Sequence, residues 1–345
     1  MKKTLIALAT LGALSNVAFA QSNVTVYGIL DEAARFSTNV DNKDGKNFQL
    51  IDGLESGTRL GFKGSEDLGS GTKAIFNLEA GFSLSTGKSL QDGRLFGRTA
   101  SVGLTNATYG TLTVGRQNSL GYDFDVATDV YGYGSSILSG YKGNLTGLRF
   151  DNQVKYTNSR GPLSISVAHS FGNQNGEQSK NSSSGVLAGY TAGGLDLRAV
   201  YQYTNDTKDA VPGTLVGQNQ RLAGVGASYK IAKATKVFGQ YYHSEFDVTD
   251  QKNEIYVLGA SHEINSNLIA KASYNHDKQT SVNEGHRNTI SGVLSYAFSP
   301  RTDVYTEVDY QKLSGGYSNN AYALNTVSNT NTSSAGVSLG LRHKF

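Results

Sequence analysis

Cysteine is absent from all 345 residues, and so is tryptophan. Without thiols the chain has no disulfide framework and no zinc site built on thiolates. Proline occurs three times and methionine only as the initiator. Long apolar runs are missing as well. Beyond the first twenty residues nothing approaches the ~20 consecutive apolar residues of a membrane-spanning helix, which excludes a helical membrane protein. Hydrophobic residues make up 38% of the chain, too few for a soluble domain of this size with a large dry core. An excess of one charge is missing too. The formal net charge is +3, and two of the lysines, Lys2 and Lys3, sit at the very start. The remainder is close to neutral, so bulk charge gives no support to a nucleic-acid partner.

What is present begins with that start. Lys2 and Lys3 precede an apolar run from Leu5 to Ala18, and Ala18-Phe19-Ala20 stands before Gln21. A charged region, a short apolar core and small residues at a cleavage site form a secretory signal peptide. Residues 1–20 are therefore expected to be an export signal and residues 21–345 the mature domain.

That domain alternates with a period of two. At its end Val337, Leu339, Leu341 and Phe345 share one face, and Ser338, Arg342 and Lys344 the other. Leu60 and Phe62 oppose Arg59 and Lys63. Phe76, Leu78, Ala80 and Phe82 oppose Lys73, Asn77 and Glu79. Val304, Thr306, Val308 and Tyr310 oppose Asp303, Tyr305, Glu307 and Asp309. The pattern predicts strands near 24–36, 52–64, 72–84, 93–105, 110–118, 147–158, 162–172, 183–192, 195–204, 220–231, 235–246, 252–263, 267–278, 287–298, 302–313 and 334–345. Short turns alternate with longer polar connections at 38–50, 173–182, 205–219 and 314–333.

Sixteen strands with one apolar and one polar face exclude a sandwich, whose inward faces are both apolar. Arg59, Lys63, Glu79, Arg149, Lys155 and Asp309 on the polar face do not fit a dry core. Lipid outside and water inside satisfy both faces, and closure leaves no free edge. The fold class is all-β, a 16-stranded antiparallel transmembrane β-barrel wide enough for an aqueous lumen. Tyr27, Phe82, Tyr156, Tyr190, Tyr229, Tyr241, Tyr274, Tyr296 and Phe345 are expected in the interfacial girdles.

One stretch breaks the rhythm. Residues 118–146 carry Asp123, Asp125 and Asp129 together with Tyr122, Tyr131, Tyr133 and Tyr141. Gly121, Gly132, Gly134, Gly140 and Gly143 make it a poor helix and a poor strand, yet it is too aromatic for a solvated linker. It is expected to be a long functional loop folded onto something. The three aspartates lack the glycine turn and terminal glutamate of a calcium loop. The six histidines show neither helical pairing nor thiolate company. Gly336-Val337-Ser338-Leu339-Gly340 matches a nucleophile-elbow pattern without the following helix that the motif needs. Gly69-Ser70-Gly71-Thr72-Lys73 fails the order of a phosphate loop and reads as a turn.

With these residues in view the chain resembles the trimeric general porins of the Gram-negative outer membrane, most closely those of β-proteobacteria. The similar stretches are Val26-Tyr27-Gly28, the segment from Arg59 to Gly69, Gly110 through Arg116, the segment from Arg149 to Tyr156, and Gly340-Leu341-Arg342-His343-Lys344-Phe345. The resemblance implies a passive diffusion channel for small hydrophilic solutes and ions, with no chemistry, no cofactor and no metal. It implies a homotrimer in contact with outer-membrane lipid and lipopolysaccharide, and a terminal aromatic, Phe345, read by the outer-membrane assembly machinery. It also implies that the third loop, residues 118–146, narrows the pore opposite a basic ladder. That ladder would include Arg59, Arg98 and Arg149, with Arg35 and Arg116 nearby, facing Asp129 and also Asp123 and Asp125. Local alternation directs Arg59 and Arg149 into the lumen. Arg98 shares parity with Ala100, Val102 and Leu104, so a lumenal Arg98 would turn Thr99, Ser101 and Gly103 outward, toward a neighbouring subunit. The enteric loop-tip motif Pro-Glu-Phe-Gly-Gly is replaced here by Gly132-Tyr133-Gly134-Ser135-Ser136. With that carboxylate gone, a weak anion preference is expected. The alternatives are a substrate-specific channel of the same fold, marked by a row of lumenal aromatics, and an outer-membrane barrel enzyme, which would need a Ser/His pair on the lipid face.

Overall fold

In the computed structural model, which describes residues 23–40, 44–132, 145–207, 217–281, 284–319 and 332–345, the period-two segments pair into one closed antiparallel sheet. Residues 1–20, read above as an export signal, lie outside the described residues. The elements are β1 (Asn23–Thr38), β2 (Lys46–Asp52), β3 (Arg59–Gly69), β4 (Thr72–Gly81), β5 (Thr99–Asn106), β6 (Gly110–Asn118), helix α1 (Leu120–Thr128), β7 (Arg149–Arg160), β8 (Leu163–Ser170), β9 (Ser183–Ala192), β10 (Leu195–Thr204), β11 (Gln220–Lys230), β12 (Thr235–Phe246), β13 (Lys252–Glu263), β14 (Leu268–Thr280), β15 (Gly285–Ala297), β16 (Thr302–Gly315), a 3₁₀ turn (Gly316–Asn319) and β17 (Ser333–Lys344). Closure is made by β1 against β17, in register from Ile29↔Lys344 to Ser37↔Gly336. The other edge of β1 is shared by β2 and β3. Those two segments are halves of one stave, so the barrel has sixteen.

The split in that stave departs from the single strand expected at 52–64. Gly53 takes a left-handed φ of 64°, and the chain dips inward so that Leu54 and Glu55 are buried. Asp31 holds the dip, its carboxylate accepting from the backbone N–H of Glu55 at 3.0 Å and of Ser56 at 2.6 Å. Pairing with β1 resumes at Arg59.

Burial follows parity. On β17 Val337, Leu339 and Leu341 are exposed on the outside while Ser338 is buried. On β16 Val308 and Tyr310 are exposed and Tyr305, Glu307 and Asp309 buried. Tight connections gather at one end, where Gly193 and Gly194 supply the two positive-φ positions of the turn between β9 and β10. The long connections gather at the other end, which in such barrels faces the cell exterior.

The outward set expected from parity needs two corrections. Tyr27 faces the lumen, its hydroxyl donating to Asn77 and to Glu79 at 2.9 Å each. On β5, Val102 and Leu104 are the exposed residues. Thr99 and Ser101 stand opposite the inward-facing Glu79 and Asn77, so Thr99, Ser101 and Gly103 face inward and offer no small-residue surface to a neighbour.

Candidate functional site

The segment expected to be a poor helix contains one. Ser119 caps α1, its Oγ accepting from the N–H of Tyr122 at 2.9 Å, as N-cap serines do. Only one glycine, Gly121, lies inside the helix; Gly132 follows it, and residues 133–144, with Tyr133 and Tyr141, lie outside the described residues. α1 packs against the inner face of β10 and β11, with β8, β9 and β12 at its margins. The wall is built to receive it. A Cβ at Gly224 would stand 3.2 Å from Phe124, one at Gly226 2.9 Å from Thr128, and one at Gly259 2.9 Å from Val130. Leu120, Phe124 and Leu145 form an apolar cluster with Leu187, Val200, Leu222, Tyr242, Phe246, Ile255 and Val257. Phe124 and Tyr242 meet edge to face at 5.1 Å. Burying a side chain such as Leu120 or Phe124 stabilises by roughly 2 kcal/mol. Part of the inner wall is therefore apolar, contrary to the expectation that apolar residues cover only the outside.

Polar contacts complete the docking. Gln202 accepts from the N–H of Gly121 at 3.1 Å and donates to the carbonyl of Thr146 at 2.9 Å. Gln220 donates to the carbonyl of Leu145 at 2.8 Å. Beyond the helix, the Tyr131 hydroxyl meets Ser291 on β15 at 2.7 Å, and burial pushes its phenol up to about 12, so it stays neutral.

The three aspartates take three different positions. Asp123 pairs with Lys155 on β7, Oδ2 to Nζ 2.7 Å. Asp125 is fully buried against the wall, accepting from the Tyr242 hydroxyl at 2.5 Å and from Gln240 at 3.3 Å. Asp129 closes the helix, its N–H donating to the carbonyl of Asp125 at 2.9 Å and its side chain accepting from the N–H of Tyr131 at 3.3 Å.

Across the lumen Arg59, Arg98 and Arg149 come together. Arg98 donates from Nε to Glu79 Oε1 at 2.5 Å, and Arg59 NH1 lies 3.8 Å from the same oxygen. Arg98 acts electrostatically on both Arg59 and Arg149. Arg149 stacks over Tyr122 of α1 at 5.5 Å, a cation–π contact joining ladder and helix. Arg98 reaches the lumen without changing the parity of β5 because it precedes the first strand residue, Thr99. Glu79, an inward charge but not one expected to hold the ladder, is the carboxylate that contacts it among the described residues. The spacing Arg59, Glu79, Arg98 shows no motif, and only the register of β3, β4 and β5 assembles it.

The remaining candidates sit apart from this cluster. Arg35 is buried on the inner wall, donating to Ser338 at 3.0 Å and standing 2.8 Å from Asp309. That second contact is a charge contact out of line for a hydrogen bond, since Asp309 Oδ2 has no hydrogen-bond partner. Arg116 donates to Asp151 at 2.7 Å and to the carbonyl of Gly97 at 2.7 Å, with Arg94 on the same carboxylate. Phe345 is an outward aromatic whose backbone exchanges hydrogen bonds of 3.0 and 3.1 Å with Gly28. Its ring covers Gly28, where a Cβ would stand 2.4 Å from the ring edge. The inward tyrosines Tyr242, Tyr305 and Tyr317 are buried in wall contacts rather than exposed along the lumen.

A closed sixteen-stave barrel, apolar outside and charged inside, with a loop docked in its lumen, defines an outer-membrane diffusion channel. The comparisons agree. The Gram-negative porin family matches residues 5–316, and the chain belongs to that family. An outer membrane porin protein of Bordetella pertussis is 29% identical over the full length of both chains. Among solved structures, an anion-selective porin from Comamonas acidovorans superposes with a TM-score of 0.79 at 22% identity, covering 94% of this chain and all of that one. OmpT of Vibrio cholerae in its trimer form gives 0.70 at 18% identity, covering 94% and 99%. The protein is a porin of the outer membrane, passing small solutes passively.

Proposed function

We propose that the channel weakly prefers anions, and that its narrowest wet section lies between the α1 loop and the wall bearing Arg59, Arg98 and Arg149. The observation that carries this reading is charge balance. Three guanidinium groups stand at this wall with one carboxylate, Glu79, which contacts Arg59 and Arg98, while Asp123 is matched by Lys155 and Asp125 is turned into the wall. Net positive charge along a narrow aqueous passage concentrates anions. The neighbour from Comamonas acidovorans, described as anion-selective, supports the same sign. Asp129 contributes the loop's remaining carboxylate. Arg35 is matched by Asp309 and contributes little, while Arg116 shares Asp151 with Arg94. Reversal potentials across a salt gradient test the reading. An anion preference that shrinks as salt rises is expected, and a clear cation preference refutes it.

The assembly reading is likewise a proposal. OmpT of Vibrio cholerae is described in a trimer form, and this chain is inferred to form a homotrimer, with Phe345 serving its assembly machinery and residues 1–20 its export. Native mass measurement in mild detergent is expected to give three chains per particle; monomers alone would refute it.

A further inference from the structure

The inward dip between β2 and β3 is larger than a local kink. Pairing with β1 stops at Glu32↔Asp52 and resumes at Ile29↔Arg59, so two residues of β1, Leu30 and Asp31, face the six residues 53–58. That excess does not fit in the plane of the wall, and bulges in such barrels re-aim side chains. Asp31 fixes the course of the dip through its backbone as well as its carboxylate. Its carbonyl accepts from the N–H of Gly53 at 2.9 Å and from Thr58 Oγ1 at 3.0 Å, and its own N–H donates to Thr58 Oγ1 at 3.1 Å. While Oδ2 holds Glu55 and Ser56, Oδ1 accepts from the Tyr305 hydroxyl on β16 at 2.5 Å. Asp31 is itself fully buried, so its carboxylate is spent on the dip and does not meet the lumen.

The dip touches both sides of the constriction. On one flank Leu54 is fully buried in an apolar cluster with Val130 and Tyr131, the residues that follow α1 in the loop. Lys271 on β14 adds to this contact, its Nζ 3.7 Å from the Glu55 carboxylate and 6.0 Å from the centre of the Tyr131 ring. On the other flank the carbonyl of Gly57 accepts from Arg59 Nε at 2.8 Å. Among the described residues this is the one hydrogen bond that the Arg59 side chain makes. A Cβ at Gly57 would stand 3.0 Å from Arg98 NH1 and 4.0 Å from Arg59 NH2, so a glycine here lets two guanidinium groups of the ladder close on the backbone. The field an ion feels falls with its distance from the charge, and the dip sets that distance. Resting on the reading of this wall as the anion-preferring one, we propose that the dip is a third part of the constriction and Asp31 its positioning residue. By pinning residues 53–58, Asp31 fixes where Arg59 stands across from the loop, and with it the strength of the anion preference.

Two substitutions separate position from charge, read as reversal potentials and open-channel current noise of the folded full-length channel in planar bilayers. In Asp31→Asn the amide oxygen accepts from Glu55 and Ser56 while the NH2 donates to the Tyr305 hydroxyl, which then serves as acceptor; the charge is gone and the dip stays. In Asp31→Ala the charge and the anchor are both gone. Asp31→Ala should lower the anion-to-cation permeability ratio by about twofold at 0.1 M salt and at least double the noise, whereas Asp31→Asn should behave as the unmodified channel does. Equal shifts in the two variants would mean that the Asp31 charge acts on the ions directly, and an unaltered Asp31→Ala would mean that the ladder stands without the dip; either result overturns the proposal. Should Asp31→Ala fail to give the heat-sensitive electrophoretic shift of a folded barrel, Gly57→Ala decides. Its Cβ meets the mobile end of Arg98, so the barrel should fold and the permeability ratio should change by at least about 1.5-fold; an unchanged ratio overturns the proposal. A cation preference in the unmodified channel would instead refute the reading of the wall, whereas an anion preference that Asp31→Ala leaves intact refutes the positioning role alone.

Discussion

Glu79→Gln and Arg59→Ser should move ion selectivity in opposite directions, because they alter the same cluster with opposite sign. Three guanidinium groups and one contacting carboxylate leave two net positive charges at the wall. Glu79→Gln raises this to three, and its amide oxygen still accepts the Tyr27 hydroxyl that Glu79 now holds at 2.9 Å. Arg59→Ser lowers it to one and leaves the Arg98–Glu79 pair in place. A monovalent ion passing about 6 Å from a unit charge in water feels about 0.7 kcal/mol, screened to about 0.4 kcal/mol at 0.1 M salt and about 0.1 kcal/mol at 1 M. Anions and cations are displaced in opposite senses, so each substitution should change the permeability ratio by about three- to fourfold at 0.1 M and by less than about 1.5-fold at 1 M. Reversal potentials in planar bilayers measure this directly. Glu79→Gln should strengthen the anion preference and Arg59→Ser weaken it, with Arg59→Ser also raising conductance because it removes bulk. A shift of the same sign in both, or one independent of salt, would mean that permeant ions do not pass this wall.

Three further outcomes follow from single contacts. Lys155→Gln releases the Asp123 carboxylate, now held at 2.7 Å, and should weaken the anion preference by a factor similar to that of Arg59→Ser; an unchanged reversal potential would place Asp123 outside the ion path. Gly226→Val puts a side chain where Thr128 of α1 lies within 2.9 Å. Overpacking of this kind costs about 1–3 kcal/mol, so α1 should shift from the wall and single-channel conductance should change, whereas unchanged conductance and thermal stability would show that the wall yields instead. Removing Phe345 takes away two backbone hydrogen bonds to Gly28 out of a closure that runs from Ile29 to Ser37. The amount inserted in cells should therefore fall by severalfold, while the thermal stability of barrels refolded in detergent changes little; the reverse pattern would make Phe345 a structural residue only.

Much of this molecule is written in side-chain parity. Val337, Leu339 and Leu341 against Ser338 and Arg342 need no partner to be read, because successive residues of a strand point to opposite faces whatever strand lies alongside. The barrel, its wet lumen and the inward direction of Arg59 and Arg149 follow from that local rule. The rule stops where the strands do. Arg98 lies one residue before β5, and parity extended through it puts Thr99, Ser101 and Gly103 on the wrong side. The break at Gly53 interrupts a stave whose residues look continuous, since the dip is held by Asp31, more than twenty positions earlier. Helix α1 does not show in the sequence because the segment 118–146 is rich in glycine outside the helix itself, and because the face that stabilises it is supplied by Leu222, Tyr242 and Val257 on distant strands. Likewise Glu79 joins the arginine ladder only through the register of β3, β4 and β5. Strand alternation is a property of neighbouring residues along the chain, whereas the charge balance of the pore depends on which acid each base meets across it. Only the folded barrel brings those together.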